Sequence, residues 1–228
     1  MECRRPWDVW LSCRAKGRAF HVKHGANELK QASWAASALG SRVAPDDEAL
    51  GNAIQYAKLV CEWSGAADLT ALPTWSDVLR ELMVPALLLD DVVLGLPAGF
   101  IGDLGGGSGA AAAMIALMHP DRKVVLLDAR RKKVDFCRYA ARRCGIPNLE
   151  SEWTRVSGGG RAGEGEYGVV TVRAFGTVER CLRLAGGLLQ SRGVVAIWTT
   201  RMGVVPQGWE SVGRVVWSKG EVTAYQRV

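Results

Sequence analysis

Residues 100–109 read Phe100-Ile101-Gly102-Asp103-Leu104-Gly105-Gly106-Gly107-Ser108-Gly109, and the apolar stretch Ala110 to Met118 follows directly. A short apolar strand that ends in a carboxylate, then glycines, then a helix is the pattern of a nucleotide-binding turn. Gly105, Gly107 and Gly109 let the chain reverse without Cβ clashes and let a ligand approach the backbone closely. Gly105, Gly107 and Ala110 also satisfy the G-x-G-x-x-G/A spacing, which by itself leaves a dinucleotide open as the ligand. A second carboxylate stands where a ribose contact belongs. Val124 to Leu127 read as a buried parallel strand, and Asp128 ends it about twenty residues after the glycines.

Asp103 separates the competing ligands. Two residues before the first glycine, its carboxylate attracts the cationic amino group of S-adenosyl-L-methionine and repels a pyrophosphate. S-adenosylmethionine is therefore the expected cofactor, with Asp103, Gly105, Gly107, Gly109, Asp128 and Ala129 as its candidate binding residues. A dinucleotide, or a turn that binds nothing, is the alternative.

With 228 residues, 48% of them hydrophobic, the chain can bury one sizeable core. No apolar run is long enough to span a bilayer, and Arg4, Arg5 and Trp7 are not followed by the apolar segment of a signal peptide, so a cytoplasmic protein is expected. The cysteines at positions 3, 13, 61, 137, 144 and 181 form no C-x-x-C pair and read as reduced core thiols. The gaps between Cys3, Cys13, His21 and His24 do not suit a zinc finger, so no metal is expected.

The net charge of +6 is unevenly placed. Arg130, Arg131, Lys132, Lys133, Arg138, Arg142 and Arg143 face only Asp135, while Val134, Cys137, Ala141 and Cys144 keep an apolar stripe. This is an amphipathic helix with a basic outer face. Arg4, Arg5, Arg14, Lys16, Arg18 and Lys23 form a second basic region, which favours a polyanionic partner over a merely solvated helix face.

The organisation expected is a basic arm over 1–45, a helical extension over 46–98 and an α/β domain over 99–228. Helices are expected at Asp46 to Trp63, capped by Asp46 or Asp47, and at Thr74 to Leu89, broken near Pro85. Beyond Phe100, strands at Val124 to Leu127, Val169 to Val172 and Val194 to Thr199 alternate with helices ending at Cys144 and spanning Val178 to Leu189. Strands at Arg214 to Trp217 and Val222 to Arg227 close the chain. The alternation predicts a Rossmann-like, doubly wound and mostly parallel sheet with an N-terminal helical extension; with S-adenosylmethionine as the expected cofactor, this is the class I S-adenosylmethionine-dependent methyltransferase fold. Ligands bind beyond the carboxyl ends of such strands, so Asp103, Asp128, Arg173 and Thr199 or Thr200 are expected to converge on one crevice.

Several ordered motifs resemble those of the bacterial 16S ribosomal RNA guanine-N7 methyltransferases, the RsmG or GidB family. Asp68-Leu69-Thr70-Ala71 is similar to an Asn-Leu-Thr-Ala segment of that family, and Asp103 to Gly109 to its glycine turn. Leu126-Leu127-Asp128 with Arg130, Lys132, Lys133, Val134 and Phe136 resembles its strand and basic helix; Arg155-Val156 and Arg173-Ala174-Phe175 resemble its Arg-Val and Arg-Ala-Phe elements. The resemblance covers roughly residues 50–200. Ala111-Ala112, Arg80-Glu81, Val84-Pro85 and Thr199-Thr200 depart from it, mostly on the substrate side.

The resemblance implies methyl transfer to guanine N7 in the small ribosomal subunit. Arg173 is its candidate catalytic residue, and Arg155, Arg173, Lys132 and Lys133 are its candidate RNA contacts; a monomer is the default assembly. Thr171 to Phe175 contains no proline, unlike the Asn/Asp-Pro-Pro-aromatic turn of enzymes that methylate exocyclic amines, which favours a ring nitrogen. A methyltransferase for a small molecule or protein, and a non-catalytic RNA or ribosome binder, are the alternatives.

Overall fold

Phe100–Leu104 (β1) lies inside the sheet, where four of its five residues are buried and both faces are covered. The computed structural model describes residues 27, 28, 30, 48–93, 95–158, 165–173, 176–200 and 203–228. Most of the basic arm, the residues Cys3, Cys13, His21 and His24, the capping pair Asp46 and Asp47, and Ala174 and Phe175 lie outside them. The strands after β1 are Val124–Asp128 (β2), Leu149–Trp153 (β3), Tyr167–Arg173 (β4), Leu189–Thr199 (β5), Trp209–Trp217 (β6) and Gly220–Arg227 (β7). They form one seven-stranded sheet in the order β3-β2-β1-β4-β5-β7-β6. The first five in that order are mutually parallel; β7 is antiparallel to both β5 and β6. The order reverses direction between β1 and β4, which leaves a crevice at their carboxyl ends.

Helices cover both faces unequally. Glu48–Ala67 (α1), Ala110–Met118 (α4) and Arg131–Arg143 (α5) share one core with the irregular segment between Trp75 and Val92, while Val178–Ala185 (α6) packs with Val170, Val172, Val195 and Ile197 on the other face. Among the described residues, no helix is long and apolar enough to cross a membrane.

Several expected boundaries move. The first helix runs on to Ala67 and stops where Asp68 adopts φ +52°. The single helix expected at Thr74 to Leu89 is instead Trp75–Val78 (α2), a π turn Leu79–Met83, a 3-10 turn Val84–Leu88 and Leu89–Val92 (α3). Thr74 Oγ1 caps its start by accepting from the Asp77 amide at 3.2 Å, but Pro85 cannot supply an amide to the ladder and the helix is rebuilt around it. The helix expected up to Leu189 ends at Ala185, where two glycines follow, and β5 begins at Leu189 rather than Val194. That longer strand accommodates a register shift against β4, with Arg192 at φ +62°. Strand β6 likewise starts at Trp209, five residues before the expected Arg214; its half-exposed edge position hides it from an apolar-run reading.

Helix α1 is held to the sheet by a buried contact. Tyr56 of α1 packs edge-on against Phe136 of α5, ring centroids 6.0 Å apart, and its hydroxyl donates to the Ser108 carbonyl at 2.9 Å. Burial pushes the Tyr56 pKa up, so it remains a donor. Tyr56→Phe leaves that carbonyl without its partner at nearly constant volume. The expected cost is about 1–3 kcal/mol, read as a melting temperature lowered by about 2–4 °C for each kcal/mol in thermal denaturation.

Candidate active site

Three left-handed glycines build the turn between β1 and α4: Gly105, Gly107 and Gly109 have φ of +67°, +61° and +68°. The Gly105 amide donates to the Leu127 carbonyl at 2.7 Å, tying the turn to β2, and Gly109 opens α4. Gly106 has no positive φ, and sequence reasoning assigned it nothing, yet a Cβ there would lie 2.0 Å from Asp103 Oδ2 and 2.7 Å from Leu126 Cδ1. The turn closes over the Asp103 side chain, a relation that no local pattern reveals. Above Gly107 the space is open: a Cβ there would meet only Lys133 Nζ, at 3.7 Å.

Asp128 closes the other side. Its Oδ2 accepts from the Gly107 amide at 3.2 Å and its Oδ1 from the Arg130 amide at 2.8 Å, which locks the end of β2 to the turn and leaves each oxygen a further lone pair. Ala129, next along, is exposed, and its carbonyl accepts from Trp153 Nε1 at 3.0 Å.

Asp103 is fully buried. Its Oδ1 accepts from Thr171 Oγ1 at 2.9 Å, while Oδ2 has no hydrogen-bond partner. Burial raises the carboxyl pKa, opposed chiefly by the charge of Arg173 and by the Thr171 hydroxyl. At the end of β4, Arg173 Nη1 donates to the Leu82 carbonyl in the π turn, and its Nε is buried without a partner. Burial lowers the guanidinium pKa, and the Asp103 charge raises it. Two charged groups on adjacent strands thus each carry one unmet polar atom: an acceptor on Asp103 and a donor on Arg173.

The structure brings Asp103, Gly105, Gly107, Gly109, Asp128 and Lys133 together around the turn, with Arg173 beside Asp103. Thr199 ends β5, one strand beyond Arg173, and Thr200 follows it exposed. Arg155 is set apart: it follows β3, three strands from β4, about 14 Å away on strand spacing. Lys132 lies exposed on α5.

These residues fit S-adenosylmethionine. The orphaned Asp103 Oδ2 calls for a cationic donor such as an ammonium, the spare lone pairs of Asp128 suit ribose hydroxyls, and the open space at Gly107 admits a ligand against the backbone. The strand order, the glycine turn and the two carboxylates define a Rossmann-like, S-adenosylmethionine-dependent methyltransferase. A family model described as rRNA small subunit methyltransferase G (GidB) matches residues 50–201, and the chain belongs to that family. The ribosomal RNA small subunit methyltransferase G of Halorhodospira halophila is 32% identical over 152 residues, covering 66% of this chain and 69% of that protein. Its counterpart in Acinetobacter baylyi is 33% identical over 152 residues, 66% of this chain and 68% of the other. A solved RNA methyltransferase from Salinibacter ruber, in complex with S-adenosyl-L-homocysteine, is 20% identical at a TM-score of 0.47 and covers 63% of this chain and 88% of that one.

The raised Asp103 pKa has a definite sign. Between the ordinary aspartate value of about 3.9 and the raised one, the folded state holds more protons than the unfolded, so this group's contribution to stability falls as pH rises through that window. An ammonium needs the ionised carboxyl, so cofactor affinity falls as pH drops through the raised value. Asp103→Asn removes the counter-charge of the buried Arg173 and is expected to melt lower than the wild type, to bind S-adenosylmethionine about tenfold or more weakly and to lose this acid-side dependence. Calorimetric titration at several pH values checks the affinity and its pH dependence, thermal denaturation checks the melting, and an unchanged affinity removes Asp103 from the site.

Proposed function

We propose that the protein transfers the methyl group of S-adenosylmethionine to N7 of a guanine in 16S ribosomal RNA, acting as a cytoplasmic monomer. The observation that carries the reading is the buried, unmet Nε–H of Arg173 at the switch point, in a chain of the rRNA small subunit methyltransferase G family. The cofactor, when bound, supplies an electrophilic sulfonium methyl group. Asp103 holds its ammonium and Asp128 its ribose hydroxyls, with Gly105, Gly107, Gly109 and Ala129 shaping the surface against it.

Guanine presents N7 and O6 side by side as acceptors. The Arg173 Nε–H donates to O6, leaving the N7 lone pair free as the nucleophile. N7 carries no proton in the neutral base, so no general base has to act. The nearby Cys137 thiol, pushed up to about 12 by burial, stays protonated at neutral pH and takes no part. Catalysis then rests on alignment, for which well-oriented reactants gain about 7–11 kcal/mol. Arg173 is held for this task by the Leu82 carbonyl and by the charge of Asp103. Lys132, Lys133 and Arg155 contact RNA phosphates.

Labelled S-adenosylmethionine, offered with small ribosomal subunits and with naked 16S RNA lacking the native modification, is expected to yield 7-methylguanosine on nucleoside analysis. No methyl uptake under either presentation overturns the reading. Asp128→Ala is expected to weaken cofactor binding by about 1–3 kcal/mol with RNA affinity unchanged. Arg173→Lys keeps the charge but loses the planar donor set, so transfer slows while the cofactor Kd holds; a raised cofactor Kd would instead assign Arg173 to the cofactor.

A further inference from the structure

Trp153 ends the edge strand β3 and is 60% exposed, the most exposed tryptophan among the described residues. It is nevertheless fixed. Its Nε1 donates to the Ala129 carbonyl at 3.0 Å, one residue past Asp128, and the Arg131 guanidinium carbon stands over the ring, 5.5 Å from its centroid. Folding gains little from an indole left in water, since apolar stabilisation scales with the area removed from solvent. An anchored, solvent-facing aromatic plane is suited to hold another flat group.

The surface beside it is cationic. Arg131, Arg138 and Arg142 lie along one stripe of α5, spanning about 16 Å of helix axis. Arg138 Nη2 donates to the Ser151 carbonyl at 3.1 Å, which sets that guanidinium over β3 two residues before Trp153. Asp135, the one carboxylate within α5, stands 3.6 Å from both Arg131 and Arg138. Arg142 pairs with no carboxylate among the described residues; its Nε donates to the Arg138 carbonyl at 3.2 Å.

We infer that Trp153 is a stacking platform for an unpaired base of the ribosomal RNA and that Arg131, Arg138 and Arg142 are the phosphate track leading from it, so that RNA approaches the active site across the β3 edge. This rests on the reading that ribosomal RNA is the substrate. Aromatic planes set in a row of cations bind single-stranded nucleic acid by stacking and counterion release, and an A-form duplex does not offer its bases this way. The carbonyl of Ala129 ties the platform to the turn beside the cofactor site.

The test uses the full chain and naked 16S RNA, with RNA affinity, cofactor Kd, melting temperature and methyl transfer measured separately. Trp153→Ala is expected to weaken RNA binding about tenfold and to raise the RNA KM alike, leaving cofactor Kd and melting temperature unchanged; Trp153→Phe retains most of the affinity. Arg142→Gln is expected to reduce the slope of log affinity against log salt by about 0.7. Unchanged RNA affinity in Trp153→Ala overturns the inference, and so does a raised cofactor Kd, which would give the ring to the cofactor. If the wild type methylates no RNA, the functional reading fails on its own, while the binding comparison still decides the role of Trp153.

Discussion

A carboxylate buried beneath a glycine turn, with one oxygen lacking a donor, is the constraint on which the rest of the site depends. An isolated ionised group in that position would be expelled or neutralised. Asp103 is kept there by the Thr171 hydroxyl and by the charge of Arg173, both on β4. The arrangement therefore requires β4 to lie directly beside β1, which the reversal of strand order achieves. It also requires a residue without a side chain at Gly106, since the turn passes within van der Waals reach of the carboxylate.

Arg173 carries the same constraint outward into the helical extension. Its guanidinium is bound by the Leu82 carbonyl, and the Trp198 indole on β5 donates to the Pro85 carbonyl at 3.1 Å. A regular helix would have spent those carbonyls on its own ladder. Pro85 offers no amide, so the 3-10 partner that Leu82 would seek is missing and its carbonyl is free for the arginine. The irregularity between Trp75 and Val92 thus serves the site, while Tyr56 secures the same extension to the turn from the other side.

Much of the fold was legible because its signals are local. The β1 run, its glycines and the β2 run ending in Asp128 occupy consecutive residues, and burial on both faces makes such strands continuously apolar. Strand β3 was less visible because Glu150, Glu152 and Trp153 are exposed at the sheet edge, and β5 because its first residues cross a register shift. In the site, the acidic and glycine positions were readable from spacing. The burial of Asp103, the need for glycine at 106 and the anchorage of Arg173 on Leu82 were not, since each depends on residues distant in the chain.

By itself, the sequence determined the parallel α/β class, the position of the glycine turn and the basic face of α5, because periodicity, glycine spacing and charge distribution act over short separations. Only the tertiary structure decided which oxygen of Asp103 lacks a donor, that Arg173 is its counter-charge, and that Trp153 stands pinned yet exposed beside Ala129. Hydrogen-bond satisfaction and burial are properties of neighbours in space, and here those neighbours come from strands and helices that only the packed sheet brings together.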